Sequence, residues 1–173
     1  MPRWSHSTLL PALFALGCGG VTVDTAAQNA DPCYPTPNVQ IELGTWAQGF
    51  APLGDTLHIE RGQQGGRFVT LGLRGRNLDA WTYIAGEITV SLDDEEISSY
   101  APWLNPTCEP FGQDAQIGPV AFDESAEALH EQDVKIIARV TDLSGFEAVT
   151  RRTVTLIDPQ ALSDSAADTG ASL

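Results

Sequence analysis

Residues Val134 to Ile157 read VKIIARVTDLSGFEAVTRRTVTLI, and the spacing of apolar residues in this stretch decides the fold class. Val134, Ile136, Ala138 and Val140 recur at every second position, the period that places side chains on one face of a β-strand. Asp142-Leu143-Ser144-Gly145 then supplies turn chemistry, and a second strand from Val149 to Ile157 follows with Val154 and Leu156 directed inward.

The same period runs outward toward the N-terminus. It is carried by Val39, Ile41 and Leu43; by Leu57 and Ile59; by Val69, Leu71 and Leu73; and by Ile84, Ile88, Val90 and Leu92, with Gly86 as a candidate bulge. Val120 and Phe122 add a short strand, so the spacing predicts about seven strands and a single antiparallel β-sandwich over residues 38–158. Gly62, Gly65 and Gly66 stand between two strands, where positive φ is expected. Only Glu124–Glu131 (ESAEALHE) has helical composition, which predicts one or two exposed turns.

Both ends differ from this centre. Residues 1–17 have the plan of a secretory signal peptide: Arg3 in a short polar start, an apolar stretch around Leu9 to Leu16, and Gly17 before Cys18. That stretch is too short to span a bilayer. Ala15-Leu16-Gly17-Cys18 resembles the bacterial lipobox, although Ala15 and Leu16 stand in the reverse of the usual order. The resemblance implies that Cys18 becomes the lipidated first residue of the mature chain, with the bilayer as its partner. The alternative is an ordinary cleavage site. Each buried methylene of the acyl chains contributes about 0.8 kcal/mol, and more than one chain is needed for stable anchoring. Residues 18–37 read as a flexible linker and 159–173 as a disordered tail.

The composition narrows the partners. Twenty-three acidic residues face 9 basic ones, a formal charge of −14, which argues against nucleic acid. Cys33 and Cys108 remain as an even pair, and in an oxidising compartment a disulfide between them is expected. Such a bridge closes a loop of about 75 residues, worth about 4 kcal/mol in the chain-entropy account.

Two segments, IERGQQGGRFVTLGLRGRNLD from Ile59 to Asp79 and Val134–Ile157, resemble immunoglobulin-like domains of functionally uncharacterised Gram-negative lipoproteins. The resemblance implies an all-β, immunoglobulin-like sandwich and a place in the cell envelope, most simply at the outer membrane. It brings no catalytic residues. The immunoglobulin pattern of cysteines bracketing a core tryptophan is not matched.

No combination of residues carries an enzyme signature, and no cofactor or metal is expected. The mature chain holds only His58 and His130, without a Gly-x-Ser-x-Gly turn. His58 sits at solvent-facing parity, and His130, among Glu127, Glu131 and Asp133, belongs to a solvated loop rather than a metal site. Asp93–Glu96 lacks EF-hand spacing, Asp168-Thr169-Gly170 falls in the tail, and Pro106 blocks the sequon-like Asn105-Pro106-Thr107. Arg61, Arg67, Arg74 and Arg76 gather on one expected hairpin, as candidate contacts for carboxylates or phosphates. The alternative is pairing with Glu42, Asp55, Glu60 or Glu87 on adjacent strands. Trp46, Trp81 and Trp103 fall in or near expected loops, Trp81 and Trp103 being candidate contacts for a partner or sugar, with packing against the sandwich ends as the alternative. Tyr100–Phe111 (YAPWLNPTCEPF) reads as a loop suited to a partner. The function expected is a non-catalytic module meeting an envelope protein or glycan, with a carbohydrate-binding or hydrolase-accessory module as the alternative.

Overall fold

The computed structural model describes residues 31–159 and 161 of the chain. Residues 1–30, including the expected signal segment and Cys18, and nearly all of the expected tail, including Asp168-Thr169-Gly170, lie outside them. Twelve strand segments and one helical turn follow in order: β1 Gln40–Trp46, β2 Phe50–Pro52, β3 Thr56–His58, β4 Glu60–Arg61, β5 Arg67–Arg76, β6 Ile84–Leu92, β7 Glu95–Tyr100, β8 Trp103–Leu104, β9 Thr107–Glu109, β10 Gly112–Phe122, α1 Ala126–Leu129, β11 Asp133–Thr141 and β12 Glu147–Ile157. They form two sheets packed as an all-β sandwich. One runs β2-β1-β5-β10-β9 with β4 on β5, and the other β3-β12-β11-β6-β7 with β8 on β6.

The core lies between the sheets and is built from the alternating residues. Leu43, Val69, Leu71, Leu73, Ile88, Val90, Val134, Ile136, Val140, Val154 and Leu156 are buried. Turning these side chains inward leaves the intervening positions for water, which is the basis of the period-two pattern.

The structure corrects several sequence expectations. Twelve segments replace seven because short strands cover the edges and the linkers. The expected Leu57–Ile59 strand divides: β3 runs parallel to β12 in one sheet, while β4 pairs with β5 in the other. That parallel pair departs from an all-antiparallel sandwich. Gly86 is not a bulge, because it faces Val140 in an unbroken β6–β11 register. Its missing Cβ instead makes room for Leu104 and Pro102, whose nearest atoms would lie 3.0 and 3.3 Å away. Of Gly62, Gly65 and Gly66, only Gly65 adopts positive φ, at 81°. Tyr100–Phe111 is not one loop, since β8 and β9 lie within it.

All the connections at one end of the sandwich are tied together. This end holds the entering segment 31–39, the β5–β6 loop, the β9–β10 turn and the β11–β12 hairpin. Leu143 N–H donates to the Asp79 carbonyl at 2.9 Å, and Asn77 N–H to the Pro32 carbonyl at 3.0 Å. The other end holds the β4–β5 turn, the β6–β7 turn, α1 and Asp158. Asp31–Pro37, read as the end of the tether, is thereby fastened to the domain.

Candidate functional site

The expected disulfide is present. Cys33 and Cys108 are joined with a Cα–Cα distance of 5.8 Å across 75 positions of sequence. Cys108 sits on β9 opposite Gln113 of β10, so the bridge attaches the entering segment to the edge of one sheet. Beside it Gln113 is buried, and its side chain both accepts from Leu78 N–H at 3.0 Å and donates to the Leu78 carbonyl at 3.2 Å. These two bonds hold the β5–β6 loop against β10.

A cavity of about 440 Å³ opens over the bridge, lined by Asp31, Tyr34, Trp81, Pro106, Thr107 and Gln113 among others. Tyr34 is 67% exposed and Trp81 78% exposed. The lining thus combines two exposed aromatic rings with the polar groups of Asp31 and Thr107, an amphipathic surface. Trp103, opposite Ala85 at the start of β6, is 73% exposed on the outer face of the other sheet. Neither Trp81 nor Trp103 packs into the sandwich end, which overturns packing as their role. Trp46 does pack: it is half-buried, and its ring lies 3.1 Å from where a Cβ on Gly72 would stand.

The four arginines do not share one surface. Arg74 is clamped by Asp114 on the neighbouring strand, with Nε and Nη2 each donating to a carboxylate oxygen at 2.7 Å. Its guanidinium also lies 4.3 Å from the centre of the Phe50 ring and 5.7 Å from that of Phe111. The bidentate bond to Asp114 is the main reason that Arg74 holds its proton even more firmly than usual, the opposing effect of burial being smaller. Arg61 and Arg67 lie at the far end and converge on buried Asp158, at 3.1 and 3.5 Å. Arg76 is exposed at the end of β5. Pairing is therefore the fate of Arg61, Arg67 and Arg74, but with Asp114 and Asp158 rather than with the expected acids. Glu42 does stand opposite Arg74 in the β1–β5 register.

His58 is exposed on β3. His130 Nδ1 accepts from Asp158 N–H at 3.2 Å, so its ring braces the chain just after β12. Asp93 and Asp94 form the β6–β7 turn with positive φ at both, and Asp94 accepts from Lys135 Nζ at 2.6 Å. The acidic block is thus a hairpin turn with a basic partner from β11.

Sequence reasoning missed Tyr34, Asp114 and Asp158, and it reached Phe111 only as the end of the partner-suited stretch Tyr100–Phe111. Tyr34 lies in a proline-bearing stretch without periodicity, and Asp114 lies in the half of β10 whose alternation is interrupted. Asp158, directly after the final apolar run, was legible only as a strand boundary. No family model, curated protein or solved structure was found to match the chain.

Proposed function

We propose that this chain is an exported, lipid-anchored and non-catalytic module of the cell envelope, in which Cys18 holds the bilayer and the sandwich is displayed from it. The observation that carries this reading is the Cys33–Cys108 bridge, which fastens the segment arriving from the lipobox-like end directly to the domain. A disulfide at that place suits an oxidising compartment, and a stapled entry point suits a domain held on a tether. Metabolic labelling with a palmitate analogue tests it. Label that disappears in Cys18→Ala supports the anchor, whereas an unlabelled wild-type chain overturns it.

A second reading, glycan recognition, is favoured by the cavity that Tyr34 and Trp81 share with Asp31 and Thr107. Aromatic rings in company with hydrogen-bonding groups suit a sugar ring, which presents apolar C–H faces and a polar rim. A glycan array compared between the wild type and Trp81→Ala decides it. Signal abolished by that substitution supports the reading, and no signal on any glycan removes it.

A further inference from the structure

The exposed large apolar side chains are unevenly placed. Tyr34, Trp81, Tyr83, Phe111, Leu143 and Phe146 all stand at the end of the sandwich where the chain enters, with Trp103 just beside them. Among the described residues the other exposed large apolar side chain is Tyr100, the last residue of the edge strand β7 and only 39% exposed. We infer that this end lies against the phospholipid surface, with its rings at the level of the headgroups. The inference rests on the lipid-anchored reading above and adds the orientation of the domain to it.

Three observations select the bilayer as occupant. The first is reach. Thirteen peptide steps separate Cys18 from Asp31, a span of at most about 45 Å, and the longest strands are 11 residues, about 35 Å. A tether from the membrane meets the aromatic end first, and presenting the opposite end would consume most of its length running back along the domain.

The second is charge. At the aromatic end the carboxylates are engaged internally: Asp142 accepts from Asp79 N–H at 3.1 Å and Phe146 N–H at 2.8 Å, Asp79 from Ser144 Oγ at 2.6 Å, and Asp31 from Cys33 N–H at 3.0 Å. Glu147 pairs with Arg139 at 2.8 Å, and Glu109 contributes to the acidic surroundings of Arg74. At the far end Asp55, Asp93, Glu95, Glu96, Asp123 and Glu131 are exposed. The engaged carboxylates keep their charge, but more acids stand exposed at the far end, so a surface bearing anionic lipid repels that end more strongly than the aromatic one.

The third is side-chain chemistry. Tryptophan and tyrosine combine an apolar body with a polar tip, the combination that settles at membrane–water boundaries. Tethering raises the local concentration of lipid so far that a contact too weak to hold a free protein is populated.

The lipidated, full mature chain reconstituted in phosphatidylcholine vesicles carrying bromine on the upper acyl chain tests the inference by tryptophan quenching. Trp81 and Trp103 should be quenched, and the quenching should fall at least about twofold in Trp81→Phe/Trp103→Phe, where only half-buried Trp46 reports. Both rings are mostly in solvent, so the double variant keeps the core. Quenching of the wild type no greater than that of the double variant overturns the inference and leaves the anchor standing. Quenching absent on phospholipid while purified envelope glycan shifts the same two tryptophans overturns it in favour of sugar binding. Mass spectrometry of Cys18 on the same sample separates the two claims. A Cys18 without lipid removes the anchor, and quenching by excess vesicles then still decides the contact.

Discussion

Gly44 shows how much a single missing methyl group can decide. It stands opposite Gly72 in the β1–β5 register, on the outer face of the sheet. After Trp46 the chain doubles back through β2, and the Phe50 ring folds down over both glycines. A Cβ on Gly44 would run into the Ala51 carbonyl and that ring. Because backbone blocks the way, the strand pair would have to part, and Gly44→Ala should cost about 1–3 kcal/mol. A urea titration checks this as a lower midpoint at unchanged slope. The Phe50 ring also carries the Arg74 guanidinium, so the glycines, the ring and the Arg74–Asp114 clamp form one stack. Asp114→Asn leaves a partly buried guanidinium without its carboxylate and should cost about 2 kcal/mol. Adding Arg74→Gln should restore part of the loss, which a double-mutant cycle measures.

At the scale of elements, the β6–β7 hairpin turns on two aspartates, both with the positive φ of a type I′ turn. Lys135 lies on β11 opposite Ser91 and reaches across to the Asp94 carboxylate. Its hydrogen bond first, and its charge second, hold the Asp94 carboxyl below its ordinary value of 3.8. A carboxyl depressed in the folded state contributes stability that is present above pH 3.8 and is lost as pH falls through the lower folded value. The pair is exposed, so the contribution is small. Lys135→Gln should return the Asp94 titration toward 3.8, read by carboxyl carbon NMR, and remove this part of the acid sensitivity. The β10 strand teaches a different lesson. Ala115 and Ile117 point inward at odd positions, while Val120 and Phe122 do so at even ones, because the register slips between Gln116 and Gly118. A bulge of this kind breaks the alternation, which is why only Val120 and Phe122 were legible. The edge strand β7, polar and carrying Glu95 and Glu96, was hidden for another reason: charged edges discourage pairing with other chains and so do not read as strands.

For the whole molecule, the bridge and the core are separate sources of stability. The bridge lies at one end of the sandwich, whereas the buried cluster extends through both sheets from Leu43 to Leu156. Reducing it restores freedom to the unfolded chain, a loss of at most about 4 kcal/mol, but removes no core contact. The reduced protein should therefore unfold at a lower denaturant concentration and still in one cooperative step, monitored by near-ultraviolet circular dichroism. Loss of near-ultraviolet signal on reduction without denaturant would show instead that the entering segment organises the core.

The sequence by itself determined the fold class, the β11–β12 hairpin and the cysteine pair, because each follows from a local or nearly context-free rule. A pleated strand must alternate its faces whatever it pairs with, Gly145 suits the turn at its positive φ, and Cys33 and Cys108 form an even pair of the kind that bridges wherever thiols are oxidised. Only the tertiary structure decided which sheet each strand joined, which carboxylates took the arginines, and that Tyr34, Trp81 and Phe111 meet at the entry end. Alternation reports that one face of a strand is buried without naming its neighbours, and a guanidinium pairs with whichever acid the register sets beside it. The arginine pairings, for example, join residues far apart in sequence: Arg74 with Asp114, 40 positions apart, and Arg61 with Asp158, 97 apart.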